Sequence, residues 1–174
     1  MTYEDYLAFP DDSLRRELIA GEVFVTPSPN ARHQRVVFRL AFSLEAHLRG
    51  HGGGEVFIPP FDVVLSEHDV VQPDVIFVAE ADAGIVGEAN IRGVPTLVAE
   101  VVSDPRTDRV RKRRLYEQVG VPEYWVIDPD SDRVEVYRLA GGRYAKPEIL
   151  EPGETLTTGL VRGFSLDVAG LLGR

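Results

Sequence analysis

The 174-residue chain contains no cysteine. A disulfide framework, a thiolate nucleophile and any zinc or iron–sulfur centre built on Cys are therefore excluded. Lysine is almost as scarce: 17 of the 19 basic residues are arginine, leaving only Lys112 and Lys146. A GC-rich genome accounts for that economy, but not for where Lys112 falls. Positive charge as a whole is short, and a net charge of −9 argues against a protein that coats nucleic acid through a broadly basic surface. No apolar run approaches the roughly 20 residues that cross a bilayer. The opening Met1-Thr-Tyr-Glu-Asp-Tyr6 is acidic where a secretory signal is basic. A cytoplasmic location without a membrane partner is expected. With no repeat, low-complexity tract or linker, and 44% apolar residues, residues 1–174 read as one domain.

Periodicity then divides the chain. A short helix over residues 3–9 is expected under a Thr2 cap, and Glu17–Val25 reads as a hairpin turning at Ala20-Gly21. Thr26–Asn30 breaks it, with Pro29 suited to the first turn of a helix. In that helix Val36, Val37, Leu40, Leu44 and Leu48 recur at helical spacing until Gly50 and the Gly52–Gly54 run. Strands are expected at Val56–Ile58, Phe61–Leu65 and Val70–Ala79. After a polar, Gly-rich loop comes the nearly all-apolar Thr96–Val102, as in a central buried strand. A helix opening at Pro105 and closing at Gly120 leads to strands at Pro122–Asp128, Arg133–Leu139 and Arg143–Leu150. Helices set apart from a largely sequential mixed sheet give an α/β or α+β architecture.

Chemistry enters with Glu100, a carboxylate inside Leu97-Val-Ala-Glu-Val-Val102. Burial there costs several kcal/mol unless the group is paired or bound to a cation. An arginine or backbone amides would satisfy it as well. Asp74 sits in a second apolar strand, just after Pro73, where the ladder loses a donor and opens; by itself it could merely stabilise a bulge. Two carboxylates converging from adjacent strands, without Cys and with little His, favour Mg²⁺ or Mn²⁺ over zinc. On the following helix Asp108, Lys112, Leu115, Tyr116 and Val119 share a face. An inward lysine needs acidic partners, and the neighbouring strand ends supply them; the alternative is a surface pair of Asp108 with Lys112.

Pro73-Asp74, Glu100-Val-Val-Ser103, a helix carrying Asp108, Lys112 and Tyr116, and Gly120-Val-Pro-Glu-Tyr-Trp-Val-Ile-Asp128 occur in that order. With Glu17-Leu-Ile-Ala-Gly-Glu22 and His33, this series resembles the Putative restriction endonuclease family, compact proteins of cyanobacteria and Thermus-like bacteria within the PD-(D/E)XK nuclease superfamily. The resemblance spans nearly the whole chain. It implies a restriction-endonuclease-like core: a mixed central sheet flanked by helices, with an N-terminal hairpin and C-terminal hairpin strands. It also implies a metal-dependent nuclease acting on nucleic acid, DNA first. Asp74, Glu100 and the backbone carbonyl of Val101 would hold Mg²⁺ or Mn²⁺, and Lys112 would orient the attacking water. The superfamily's lysine normally lies two residues after the second acid, where this chain has Val102; here it is displaced onto the helix.

Glu17 and His33 are secondary candidates, and an inward His33 at the core edge is equally compatible with a structural role. Arg106, Arg109, Arg113 and Arg114 are candidate phosphate contacts, or a solvated helix face. Trp125 is expected to pack against a helix without chemical duty. A homodimer is expected, joined through the apolar hairpin strands after Asp128. Two other functions stay open: a catalytically silent binding or assembly module, and a hydrolase of another phosphate ester.

Overall fold

The computed structural model describes residues 1–10, 12, 14–26, 28–103 and 107–174. Helix α1 (Tyr3–Leu7) begins in a capping box: Thr2 Oγ1 accepts from the Asp5 amide, and the Asp5 carboxylate accepts from the Thr2 amide. Strands β1 (Arg15–Ile19) and β2 (Glu22–Thr26) form the expected hairpin. Its two turn residues, Ala20 and Gly21, have φ of 52° and 76°, the left-handed pair whose twist matches a two-residue hairpin. Helix α2 (Ala31–His51) is capped by the Asn30 side chain, which accepts from the His33 amide. Pro29 therefore lies outside the helix rather than in its first turn.

After β3 (Gly54–Phe57) and β4 (Asp62–Ser66), the stretch expected as one strand over 70–79 is two, β5 (Asp69–Val71) and β6 (Val75–Ala79). Pro73 has no N–H for a ladder, and the chain uses this break to pass from one sheet to another. The segment read as a loop contains a 3₁₀ turn (Glu80–Ile85) and β7 (Asn90–Arg92) before β8 (Leu97–Val101). A π-helical turn (Thr107–Lys112) runs into α3 (Arg113–Val119), closed by Gly120 at φ 88°. The expected helix start at Pro105 lies outside the described residues.

Strands β9 (Glu123–Asp128) and β10 (Arg133–Ala140) follow. The strand expected at 143–150 is divided at Lys146-Pro147 into β11 (Arg143–Tyr144) and β12 (Glu148–Leu150), both paired with β10. These two short strands, rather than β10, form that end of the sheet. A C-terminal hairpin, β13 (Thr155–Thr157) and β14 (Ser165–Asp167), ends in α4 (Val168–Leu172). Periodicity did not reveal it.

The larger sheet has the order β11-β10-β9-β8-β6-β3, with β12 also on β10; the smaller is β2-β1-β5-β4-β7. Each is mixed, with a parallel β8–β9 pair in one and β4–β7 in the other. The larger sheet is covered on both faces. Val75, Phe77, Leu97, Ala99 and Val101 pack with the Val36, Leu40, Leu44 and Leu48 stripe of α2. Ile76, Val78, Val98 and Val126 pack with Leu115 and Tyr116 of α3 and with Ile19, Val63 and Ile91 of the smaller sheet. Burial on both faces is why β8 reads as an unbroken apolar run rather than an alternating one. Trp125 is fully buried in the cluster beneath α2; its ring stacks on Phe164 of the C-terminal segment, and its Nε1 donates to Glu123. Among the described residues no helix is long and apolar enough to cross a membrane.

Candidate active site

The seam between the two sheets is where the acids gather. The antiparallel register of β6 on β8 pairs Val75 with Ala99, so Asp74 and Glu100 fall side by side at the next step. Asp74 is 3% exposed. Its Oδ2 accepts from the Val101 amide at 2.9 Å and lies 3.0 Å from His33 Nε2, while Oδ1 is 3.4 Å from the Arg15 guanidinium. Burial pushes the Asp74 carboxyl up. The hydrogen bond and electrostatic pull of His33, with Arg15 and Lys112, outweigh it and hold the group below the ordinary carboxylate value.

Glu100 is as deeply buried. Its Oε1 accepts from Lys112 Nζ and from the Tyr116 hydroxyl, each at 2.9 Å. The same ammonium is 2.9 Å from Glu17 Oε1, which also accepts from the Gln72 amide at 2.9 Å. Lys112 therefore links β8 of the larger sheet to β1 of the smaller. Its inward position, shared with Leu115 and Tyr116, agrees with the expected helix face, although the turn that delivers it is π-helical rather than α-helical. Burial, then Glu100 and Glu17, push the Tyr116 hydroxyl well above its ordinary value, so it remains a donor. A buried charge set of this kind persists only when every carboxylate has partners.

Arg15 escaped the sequence reading. It lies two residues before Glu17 on β1, and strand alternation puts both on one face, which is the signal that would have found it. Its guanidinium contacts the Gln72 carbonyl, approaches Asp74 at 3.4 Å and lies 4.0 Å from Glu17. Burial alone would lower its pKa; Asp74, Glu100 and Glu17 together raise it. Arg15, His33, Gln34, Gln72 and Asp74 line a cavity of about 490 Å³. Glu17, Glu100 and Lys112 are not part of that wall but lie behind it, 1–2% exposed.

The donor set bears on which cation suits the site. Among the described residues no group of three or more Asp, Glu, His or Cys is arranged as a metal cage. Two carboxylates and a strand carbonyl suit a hard ion that keeps several waters and meets substrate phosphate, as Mg²⁺ does. They do not suit an ion needing an all-protein shell. The Val101 amide already faces Asp74, and in an extended strand a residue's carbonyl lies along the same edge as its amide.

The arginines separate. Arg109 pairs with Asp128 at 2.7 Å and with Glu135 at 3.2 Å, and Arg113 lies over the Tyr137 ring at 5.8 Å. Arg114 is exposed. Arg106 and the side chain of Asp108 lie outside the described residues. Burial raises the Asp128 carboxyl, but Ser131 and Arg109 bring it below the usual range.

The model of the Uma2 family, described as "Putative restriction endonuclease", matches residues 3–169. A solved structure of a putative nuclease belonging to DUF820, from Anabaena variabilis ATCC 29413, superposes with a TM-score of 0.83 at 18% identity, covering 99% of this chain and 98% of that one. At that identity the likeness concerns the fold. No curated protein matches.

Proposed function

We propose that this chain, which belongs to the Uma2 family, hydrolyses phosphodiester bonds of nucleic acid, DNA first, using Mg²⁺ or Mn²⁺ in its single domain. The observation that carries the reading is the meeting of Asp74, Glu100, Lys112, Glu17, His33 and Arg15 at one seam, with Asp74 on the wall of a cavity. Asp74, Glu100 and the Val101 carbonyl would hold the ion, which when bound supplies a Lewis acid for the phosphoryl group and acidifies a water.

The chain's own groups do the rest. His33 and the Val101 amide fix the Asp74 carboxylate, and the low pKa of that group keeps it ionised. Lys112 and Tyr116 hold Glu100 in one orientation. Because it lies behind the wall, Lys112 acts as a positioning residue that balances the negative charge of Glu17 and Glu100. Arg15, on the wall, is the cation placed to meet a substrate phosphate, and its planar fork suits that contact. Fixed charges of this kind stabilise a phosphoryl transition state without reorganising.

The same burial favours a second reading, a silent relative in which Arg15 permanently neutralises Asp74. Purified protein incubated with plasmid and with RNA, with Mg²⁺, Mn²⁺ or chelator, separates the two. Metal-dependent nicking that Asp74→Asn and Glu100→Gln abolish supports the nuclease. If the parent and both variants leave the substrates equally intact while metal also fails to raise the parent's Tm, the nuclease reading is wrong.

A further inference from the structure

Helix α2 carries a second pattern on the face turned from the core. Ala31, Arg35, Phe38, Phe42, Glu45 and Arg49 recur at alternating steps of four and three residues, the spacing of a two-helix seam. Phe38 and Phe42 are 67% and 62% exposed, and their rings stack with centroids 6.0 Å apart. Grooves flank this ridge, one lined by Ala41, Val56 and Ile58, the other by Leu166 and Leu171. Ile58 is itself 50% exposed, so the apolar surface is a contiguous patch rather than scattered single residues.

The stripe is its own complement. Inverted about a two-fold at the level of Leu40, Phe38 of one copy meets Phe42 of the other, Arg35 meets Glu45, and Ala31 meets Arg49. Arg35 makes no ion pair within its own chain among the described residues, and Glu45 is 2.8 Å from Arg49, able to bridge an arginine on each side. A parallel pairing would instead set Arg35 against Arg35 and Glu45 against Glu45. We propose that this face of α2 is a homodimer interface, in which two copies pack their α2 helices antiparallel through Phe38 and Phe42 with reciprocal Arg35–Glu45 pairs. The mixed charge of the face, Arg35 and Arg49 with Glu45 between Phe42 and Arg49, suits a second copy rather than a polyanion. The groove beside Phe38 shares Gln34, Val37 and Ile58 with the cavity at Asp74. The two-fold runs across the helix pair and keeps that side common, so both cavities open on one side of the assembly.

Sedimentation equilibrium of the parent should give a dimer that dissociates on dilution, and Phe42→Glu should give a monomer with native far-UV circular dichroism. Arg35→Glu and Glu45→Arg should each weaken the dimer by about tenfold or more, and their combination should restore it. The cysteine-free chain allows a sharper test. Arg35→Cys with Glu45→Cys should be joined into a covalent dimer by a short bis-maleimide, because within one helix those positions stand about 15 Å apart. Neither single variant should join. A parent at the monomer mass up to its solubility limit, a charge swap that fails to restore the dimer, or efficient joining of Arg35→Cys alone would each overturn the proposal. A monomeric parent whose nucleic-acid affinity falls with Phe42→Glu would reassign the face to base stacking, and would overturn it equally.

Discussion

Lys112→Met tests the junction of the two sheets most directly. The substitution keeps most of the side-chain volume, so packing alone costs under about 1.5 kcal/mol. The larger effect is electrostatic: an ammonium 2.9 Å from both Glu17 and Glu100 disappears, leaving two carboxylates buried at 1% and 2% exposure. Breaking a buried pair by removing one partner costs about 3–5 kcal/mol. Against a total stability on the order of 5–15 kcal/mol that is a large fraction, and for a chain of this size it lowers Tm by about 6–20 °C. Urea unfolding reads the change as a lower midpoint at unchanged slope. Adding Glu17→Gln to Lys112→Met should recover part of the loss, because one orphaned charge is then removed, whereas Glu17→Gln in the parent should be destabilising. Lys112→Arg should retain charge but overpack the closed site, at about 1–3 kcal/mol, and should cleave poorly. A Lys112→Met protein within about 1 kcal/mol of the parent would refute the account of Lys112 as the bridge between the sheets.

Two further outcomes concern the tyrosines and the helix arginines. Burial is the leading cause that raises the hydroxyls of Tyr6 and Tyr137 to about 12, and it pushes those of Tyr116 and Tyr144 further. A raised folded-state pKa contributes stability that is complete below the unfolded value near 10 and is lost as pH climbs through the folded one; the urea midpoint should therefore be insensitive to these four groups up to about pH 10 and fall above it. Phenolate absorbance from all six tyrosines near pH 10 in a protein with native circular dichroism would contradict this. The helix arginines should divide by their contacts: Arg114→Ala, at an exposed position, should weaken nucleic-acid binding mildly and reduce its salt slope by about 1, whereas Arg109→Ala should lower Tm by exposing Asp128 and Glu135 to each other. Equal salt slopes for Arg114→Ala and the parent would remove Arg114 from the binding surface.

The elements most visible in the sequence were those whose patterns are local. The α2 stripe, the Ala20-Gly21 hairpin and the apolar run of β8 each follow from one period or one turn, and each lies where expected. Asp74, Glu100 and Lys112 were legible because charges among apolar residues demand partners, and the partners found are one another's neighbours. What escaped was non-local. Val70–Ala79 looks like one strand because nothing in its composition states that two sheets will claim its halves. Arg15 drew no expectation because what it faces is set by β5 and the crossover at Gln72, not by β1. Arg109 looked free because Asp128 and Glu135 are far along the chain. The C-terminal hairpin is too short, at three residues a strand, to show a period.

The bridge at Lys112 also has a consequence in time. A chain leaves the ribosome N-terminus first, so Glu17, His33 and Asp74 emerge well before the ammonium that joins Glu17 to Glu100. β8 cannot be completed as a central strand until β9 has been made to lie beside it. A nascent chain halted before α3 thus holds Glu17 and Glu100 without Lys112, and a sheet edge without its neighbour, the kind of surface that invites wrong pairing. The candidate hydrolytic set comes into being only as the second half of the larger sheet closes.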